Sequence, residues 1–188
     1  LLKTAVPIFS ENEGINVKTN QLSDKKEYED FISLNADLVV VIAYGQIIPD
    51  IYLNNPKSIF LNVHASLLPK WRGAAPIERA LLNKENETGI SIMKIIKKLD
   101  AGPFIKQIKV KIHKETTSGE LIKKLSVIGA EALKDSIELI SSGKAIFKEQ
   151  NEKEATYAKK INKNEKRINW KDKAENIIAK INAFKPKQ

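Results

Sequence analysis

The fold is decided by an unbroken apolar run, Leu38-Val39-Val40-Val41-Ile42-Ala43. A short run rich in β-branched residues is typical of a strand buried on both faces, as in a parallel sheet. Outward from it, strand and helix patterns alternate along the chain. We predict strands over residues 59–64, 90–96 and 104–112, and helices over 47–53, 76–83 and from 117 to just before 143. The sequence therefore predicts an α/β fold with a mostly parallel sheet flanked by helices.

Two pairs of residues have the spacing of a capping box at the start of a helix. Asp24 is followed three residues later by Glu27, and Thr117 by Glu120. In such a box each side chain binds the main-chain N–H of the other residue. Both pairs therefore predict helix starts. Upstream of the first pair, residues 15–18 are predicted as a short strand.

The composition changes after Gly143, where the chain becomes polar and rich in Lys and Asn. We therefore predict a first domain over residues 1–143, a linker over 144–160 and the start of a second domain over 161–188. The opening residues, Leu1-Leu2-Lys3-Thr4, are neither a signal peptide nor an initiator methionine, so we expect the natural chain to begin earlier.

The bulk composition excludes several classes of protein. The chain has 188 residues, of which 42% are hydrophobic and 29% charged, as in an ordinary globular protein. Cysteine is absent, which excludes disulfides, thiolate chemistry and cysteine-type zinc sites. No apolar run approaches the roughly 20 residues of a membrane span. Neither G-x-G-x-x-G nor a P-loop occurs, which argues against a dinucleotide or ATP enzyme.

The net charge of +9 is concentrated near the C-terminus. Residues 159–187 contain ten Lys or Arg and three acids, and so carry seven of these nine charges. Such a segment favours a polyanionic partner, nucleic acid first. A Lys-rich composition that makes solvated faces basic explains the same count. Charge alone leaves both interpretations open.

Asn62 and His64 lie two residues apart at the end of a predicted strand, so their side chains point to the same face about 6–7 Å apart. An amide and an imidazole can stabilise an oxyanion and move a proton, which indicates an enzyme. A half-buried histidine and a strand-end asparagine are the structural alternatives. Asp100 could orient the imidazole, but the sequence Asp100-Ala101-Gly102-Pro103 favours a turn on spacing alone.

The remaining candidates carry less information. Trp71-Arg72-Gly73 could stack on a flat ligand or anchor a packed loop, and the sequence does not choose between these roles. His113, between Lys111 and Lys114, is interpreted as a surface residue. No histidines or carboxylates have the spacing of metal ligands, so we predict no metal site.

The stretch from Leu61 to Ile77, Leu-Asn-Val-His-Ala-Ser-Leu-Leu-Pro-Lys-Trp-Arg-Gly-Ala-Ala-Pro-Ile, resembles the signature of the folate-dependent formyltransferases. Its second half is most similar to that of the methionyl-tRNA formyltransferases. Further matches occur at residues 40–49, 87–93, 99–102, 155–161 and 167–170, so the resemblance covers nearly the whole chain. It implies a Rossmann-like formyltransferase domain over 1–143 and the start of a truncated tRNA-binding domain over 161–188. From the same resemblance we expect the opening strand and helix of the family to be missing from this sequence.

The resemblance implies transfer of a formyl group from 10-formyltetrahydrofolate to the α-amino group of methionyl-initiator-tRNA. It makes Asn62, His64 and Asp100 catalytic, which replaces the turn role favoured for Asp100. The implied folate-binding residues are Ser66, Leu67, Leu68 and Pro69. The residues that we predict to contact tRNA are Lys159, Lys160, Lys163, Lys166 and Arg167.

We expect a monomer without a metal or a membrane anchor, in a bacterial-type cytoplasm or an organelle matrix. Two alternatives remain: a related formyltransferase that acts on a sugar nucleotide or on glycinamide ribonucleotide, and an inactive RNA-binding fragment.

Overall fold

The computed structural model describes residues 5–185. The opening residues 1–4, including the predicted start of the chain, and Lys187 of the basic segment lie outside the described residues. The described chain forms two compact units, and the second begins at Asp37. The predicted division at residue 143 is untested and stays a prediction, although residues on both sides of it belong to the second unit.

The first unit contains two helices, α1 (Ala5–Asn12) and α2 (Lys25–Ser33). Helix α2 begins after Asp24 as predicted, but the side chain of Asp24 makes no capping hydrogen bond. Glu27 accepts a hydrogen bond from Asn20 instead and lies 3.5 Å from the ammonium of Lys18. The predicted capping box is therefore wrong. Residues 15–18 form no strand, since they are mostly exposed and bury too little to stabilise one.

The second unit is built on a four-stranded sheet in the order β1-β2-β3-β4. The strands are β1 (Leu38–Val41), β2 (Ile59–His64), β3 (Glu87–Lys94) and β4 (Phe104–Lys111). Helix α3 (Asp50–Leu53) precedes β2 and α4 (Pro76–Leu82) follows it. Helices α5 (Ser118–Ser141) and α6 (Ala174–Phe184) complete the unit. The predicted α/β class is confirmed.

The sheet is mixed, which corrects the predicted mostly parallel arrangement. Strands β1 and β2 are parallel, whereas β2–β3 and β3–β4 are antiparallel. Helix α4 has seven residues and is about 10 Å long, too short to carry the chain back along β2. The chain therefore enters β3 beside the end of β2, where His64 pairs with Ser91. Residues 95–103 then reverse the chain into β4.

Helix α5 shows how the sequence pattern produces the core. Its capping box is confirmed, because Thr117 and Glu120 each accept a hydrogen bond from the main-chain N–H of the other. Leu121 and Leu125, one turn apart, are buried in a cluster with Leu61 of β2. The same face of α5 also contacts β3 and β4. This packing covers one side of the sheet, and the candidate site lies beyond the end of β2.

Candidate active site

His64 ends strand β2 with its ring buried and both ring nitrogens facing polar atoms. Nε2 lies 2.9 Å from the main-chain carbonyl oxygen of Trp71. A carbonyl can only accept, so Nε2 carries the proton in this contact. Nδ1 lies 3.7 Å from Oδ2 of Asp100, which is ion-pair distance. Strand β2 thus places the imidazole between a fixed acceptor and a carboxylate.

Asp100 lies in the connection between β3 and β4, and the structure brings it beside His64. Its Oδ2 also accepts a hydrogen bond from the main-chain N–H of Gly73 at 2.8 Å. The Asp100 backbone has a φ of 45°, and that of Trp71 has a φ of 62°. Both are left-handed conformations that non-glycine residues rarely adopt. Such strain persists where the surroundings fix the backbone, and it clusters at functional sites.

Asn62 points to the same face of β2 as His64, since side chains alternate along a strand. Its side chain is half-buried. Within residues 5–185 no hydrogen-bonding partner occupies its amide. Asn62 therefore has N–H groups available for a ligand. Both ring nitrogens of the neighbouring His64 already face protein atoms, in Trp71 and Asp100. The structure thus assembles the three predicted catalytic residues, while their roles stay predictions.

The predicted folate-binding residues form a loop whose main chain is held by the buried Ser91 and the half-buried Gln107. The hydroxyl of Ser91 donates to the carbonyl of Ser66 at 2.7 Å and accepts the N–H of Leu68 at 3.0 Å. Gln107 donates to the carbonyl of Leu68 at 2.7 Å. Ser66 is itself fully buried, and its hydroxyl donates to Lys70. Ser66 therefore shapes the loop from inside.

Leu67 and Pro69 of this loop are half-buried, whereas Leu68 is buried. The half-exposed pair is the part of the loop that can meet a ligand. Binding of folate by this loop remains a prediction.

Arg72 is fully buried and forms a network that the sequence did not reveal. Its Nε and Nη2 donate to Oε1 of Gln150 at 3.0 and 2.8 Å. Its Nη1 and Nη2 donate to the two carboxylate oxygens of Glu152 at 3.2 and 2.8 Å. Glu152 also accepts from Lys98 at 2.6 Å. The sequence left Trp71-Arg72-Gly73 either to stack on a flat ligand or to anchor a packed loop. These bonds give Arg72 the role of a loop anchor.

A short segment, residues 156–158, pairs with the loop that follows β2, and we call it the strap. Thr156 donates its N–H to the carbonyl of Pro69 at 3.2 Å and accepts the N–H of Arg72 at 2.9 Å. Ala158 donates to the carbonyl of Arg72 at 2.7 Å. Part of the predicted linker is therefore bonded to the loop that carries the candidate site.

The five predicted tRNA-contacting residues follow the strap, and all are exposed: Lys159, Lys160, Lys163, Lys166 and Arg167. Their main chain is held near α4, where Arg79 donates to the carbonyl of Lys159 at 3.0 Å and pairs with Glu165 at 2.6 Å. They are not part of the His64 site. Exposure leaves them available to a polyanion, and their role stays a prediction.

The hydrogen bonds from Arg72 and then Lys98 lower the pKa of Glu152 from 4.5 to about 2. The unfolded chain therefore takes up this proton first as the pH falls, and the stabilisation present above about pH 4.5 is lost towards pH 2. We expect Glu152→Gln to flatten this acid limb of stability, measured by urea unfolding at several pH values. Glu154→Gln, in the same helical turn, is the matched control. An unchanged acid limb in Glu152→Gln would contradict the assigned ion pair.

Residues 3–137 match the Formyl transferase family. The chain belongs to the formyl transferase family. The resemblance first drawn from residues 61–77 is thereby confirmed. Methionyl-tRNA formyltransferase of Pelagibacter ubique (strain HTCC1062) is 48% identical over 98% of this chain and 60% of the relative. The Coxiella burnetii (strain CbuK_Q154) protein of the same name is 44% identical over 95% of the chain and 57% of the relative. The chain thus spans about 60% of the length of these relatives.

Solved formyl transferase structures share the fold. The N-formyltransferase from Helicobacter canadensis, in complex with folinic acid and dTDP-3-aminofucose, has a TM-score of 0.63 and 29% identity over 68% of this chain and 48% of that chain. The sugar 3N-formyl transferase WlaRD has a TM-score of 0.76 and 24% identity over 95% of this chain and 62% of that chain. The Rossmann-like formyltransferase fold predicted from the sequence is thereby confirmed.

Within residues 5–185, no helix has the length and apolar character needed to cross a bilayer. In the same part of the chain, no three His, Asp or Glu side chains form a group that could hold a metal ion.

Proposed function

We propose that this chain is part of an enzyme that transfers the formyl group of 10-formyltetrahydrofolate to the α-amino group of methionyl-initiator-tRNA. Family membership and the names of the relatives support this proposal. The observation that carries it is the placement of His64 beside Asp100, 3.7 Å from Nδ1 to Oδ2, on the same strand face as the open amide of Asn62. That constellation suits a reaction in which an oxyanion forms and one proton moves.

The proposed reaction begins when the amine nitrogen attacks the formyl carbon, whose oxygen becomes a tetrahedral oxyanion. Asn62 donates an N–H to this oxyanion. Because Nε2 of His64 already binds the carbonyl of Trp71, the protonated ring acts mainly through its positive charge, which Asp100 stabilises. Asp100 also accepts the amine proton through water. The carbon–nitrogen bond to tetrahydrofolate then breaks as that nitrogen takes up the proton.

In this proposal the two substrates bind to different parts of the chain. The folate contacts the loop of Ser66, Leu67, Leu68 and Pro69, chiefly through the half-exposed side chains of the second and fourth residues. The tRNA phosphates contact the exposed basic residues after the strap, from Lys159 to Arg167. The protein acts as a monomer in the cytoplasm and uses no metal.

A transfer assay with three alternative acceptors tests the proposal. Two proteins are assayed: this chain, and the chain extended by the coding sequence on either side of it. Each is mixed with 10-formyltetrahydrofolate and with one acceptor at a time. The acceptors are methionyl-initiator-tRNA, a dTDP-amino sugar and glycinamide ribonucleotide. We expect tetrahydrofolate release and formylated methionine only with the charged tRNA. Transfer to a small amine alone would make the protein a different formyltransferase. Salt-sensitive tRNA binding without folate turnover would make it an RNA-binding protein.

A further inference from the structure

Gln150 is a buried residue whose side-chain amide is fully used. Its Nε2 donates to the main-chain carbonyls of Asp100 at 2.9 Å and Gly102 at 2.7 Å. Its Oε1 accepts from Nε and Nη2 of Arg72 at 3.0 and 2.8 Å. An amide has two N–H donors and one oxygen with two lone pairs, so all four positions are occupied. Gln150 therefore joins the loop of Asp100 to a buried guanidinium.

These bonds hold Asp100 at two points through one short segment, residues 71–73. Its carboxylate accepts from the N–H of Gly73 at 2.8 Å. Its carbonyl is tied through the glutamine to Arg72. The carbonyl of Trp71, next in the segment, accepts from Nε2 of His64 at 2.9 Å. The same three residues thus fix the imidazole and both ends of the aspartate that faces it.

The energetics favour a role in geometry over a role in stability alone. A hydrogen bond of a neutral side chain contributes only modestly to the net free energy of folding, because the unfolded chain makes the same bond to water. A fully satisfied polar network does select a single arrangement of the groups it binds. Asp100 needs such selection, because its φ of 45° is a strained backbone conformation. Gln150 binds the carbonyl of that strained residue directly.

We propose that Gln150 is a positioning residue that sets the distance between the carboxylate of Asp100 and the ring of His64. This inference rests on the proposed function for its effect on turnover. Gln150 touches no reacting atom and acts only through the main chain of residues 100 and 102. Displacement of a reacting group by about 1 Å can lower a rate roughly 100-fold. Within the described residues, Asp100 is the sole carboxylate at ion-pair distance from His64, so the effect passes through it.

The test is Gln150→Glu, which keeps the size of the side chain and its oxygen towards Arg72. At pH 8 it replaces the donor N–H groups with an oxygen that repels the carbonyls of Asp100 and Gly102. We expect kcat to fall roughly 100-fold with both KM values within about threefold. We also expect the Gly73 amide proton, followed by NMR, to exchange with solvent at least about tenfold faster. If this variant does not fold, Gln150→Ala gives the same comparison.

Leu125→Ala is the control, since it opens a cavity in the core cluster under α5, on the face of β2 opposite Asn62 and His64. Leu125→Ala should lower the melting temperature at least as much as Gln150→Glu does. Its kcat and the exchange rate of the Gly73 amide proton should stay at the wild-type values. An equal loss of kcat in both variants would reduce Gln150 to a stabilising role and overturn the inference. An unchanged exchange rate of the Gly73 amide proton in Gln150→Glu would also overturn the inference. If the wild type transfers no formyl group but Gln150→Glu still speeds exchange of the Gly73 amide proton, the proposed function fails and the positioning role stands.

Discussion

Replacing Asn62 with alanine should lower the kcat of formyl transfer roughly 10²–10³-fold, which corresponds to about 3–4 kcal/mol of lost oxyanion stabilisation. The reason is that the amide of Asn62 is the free donor on this face of β2, whereas His64 is already bound to the carbonyl of Trp71. The half-buried side chain has no partner within residues 5–185 to leave unsatisfied, so we expect the variant to fold. Binding of folate should persist, because the loop of residues 66–69, which we predict to bind it, is held by Ser91 and Gln107.

The measurement is single-turnover formylation together with fluorescence titration of a folate. The matched control is Asn83→Ala, an exposed asparagine whose side chain caps the end of α4 by donating to Arg79. It should leave kcat unchanged. A loss of less than about threefold in Asn62→Ala would remove Asn62 from the oxyanion site, and with it the proposed mechanism.

Replacing Asp100 with asparagine should lower kcat by about 10³-fold or more, as loss of an orienting carboxylate does in hydrolase triads. Asparagine tolerates the left-handed backbone at this position, and its oxygen can still accept the N–H of Gly73. The fold should therefore remain intact. What disappears is the negative charge 3.7 Å from the ring of His64.

The loss in Asp100→Asn is measured as kcat next to circular dichroism and thermal unfolding. Asp135→Asn, which removes a carboxylate paired with Lys106 on the surface of α5, is the control for the loss of a charge alone. Turnover near the wild-type value in Asp100→Asn would return Asp100 to the turn role that its local sequence favours.

The sequence predicted those parts of the fold that local patterns determine. Strand β2 was predicted with its observed limits, since an apolar run ends at a polar pair. The start of α5 was predicted because its capping box is a contact between Thr117 and Glu120, three residues apart. The mostly parallel arrangement was wrong for β3 and β4. The direction of β3 depends on how far the short helix α4 carries the chain, which no local pattern expresses.

The candidate site divides in the same way. Asn62 and His64 share a strand, so their spacing alone predicted their common face. The place of Asp100 beside them came from family resemblance, because local sequence favoured a turn. Gln150 and Glu152 were missed altogether. They meet Arg72 from positions 78 and 80 residues further along the chain, and nothing near either of them signals a buried partner.

The strap sets a limit on how this protein can be divided. A fragment that ended at Gly143, where the composition changes, would retain Asn62, His64 and Asp100. It would separate Arg72 from the side chains of Gln150 and Glu152 and from the main chain of residues 156 and 158. A piece of the second unit that keeps these contacts therefore extends at least to residue 158. For expression, fusion or chimera design, the change in composition and the end of the packed second unit are therefore two different positions.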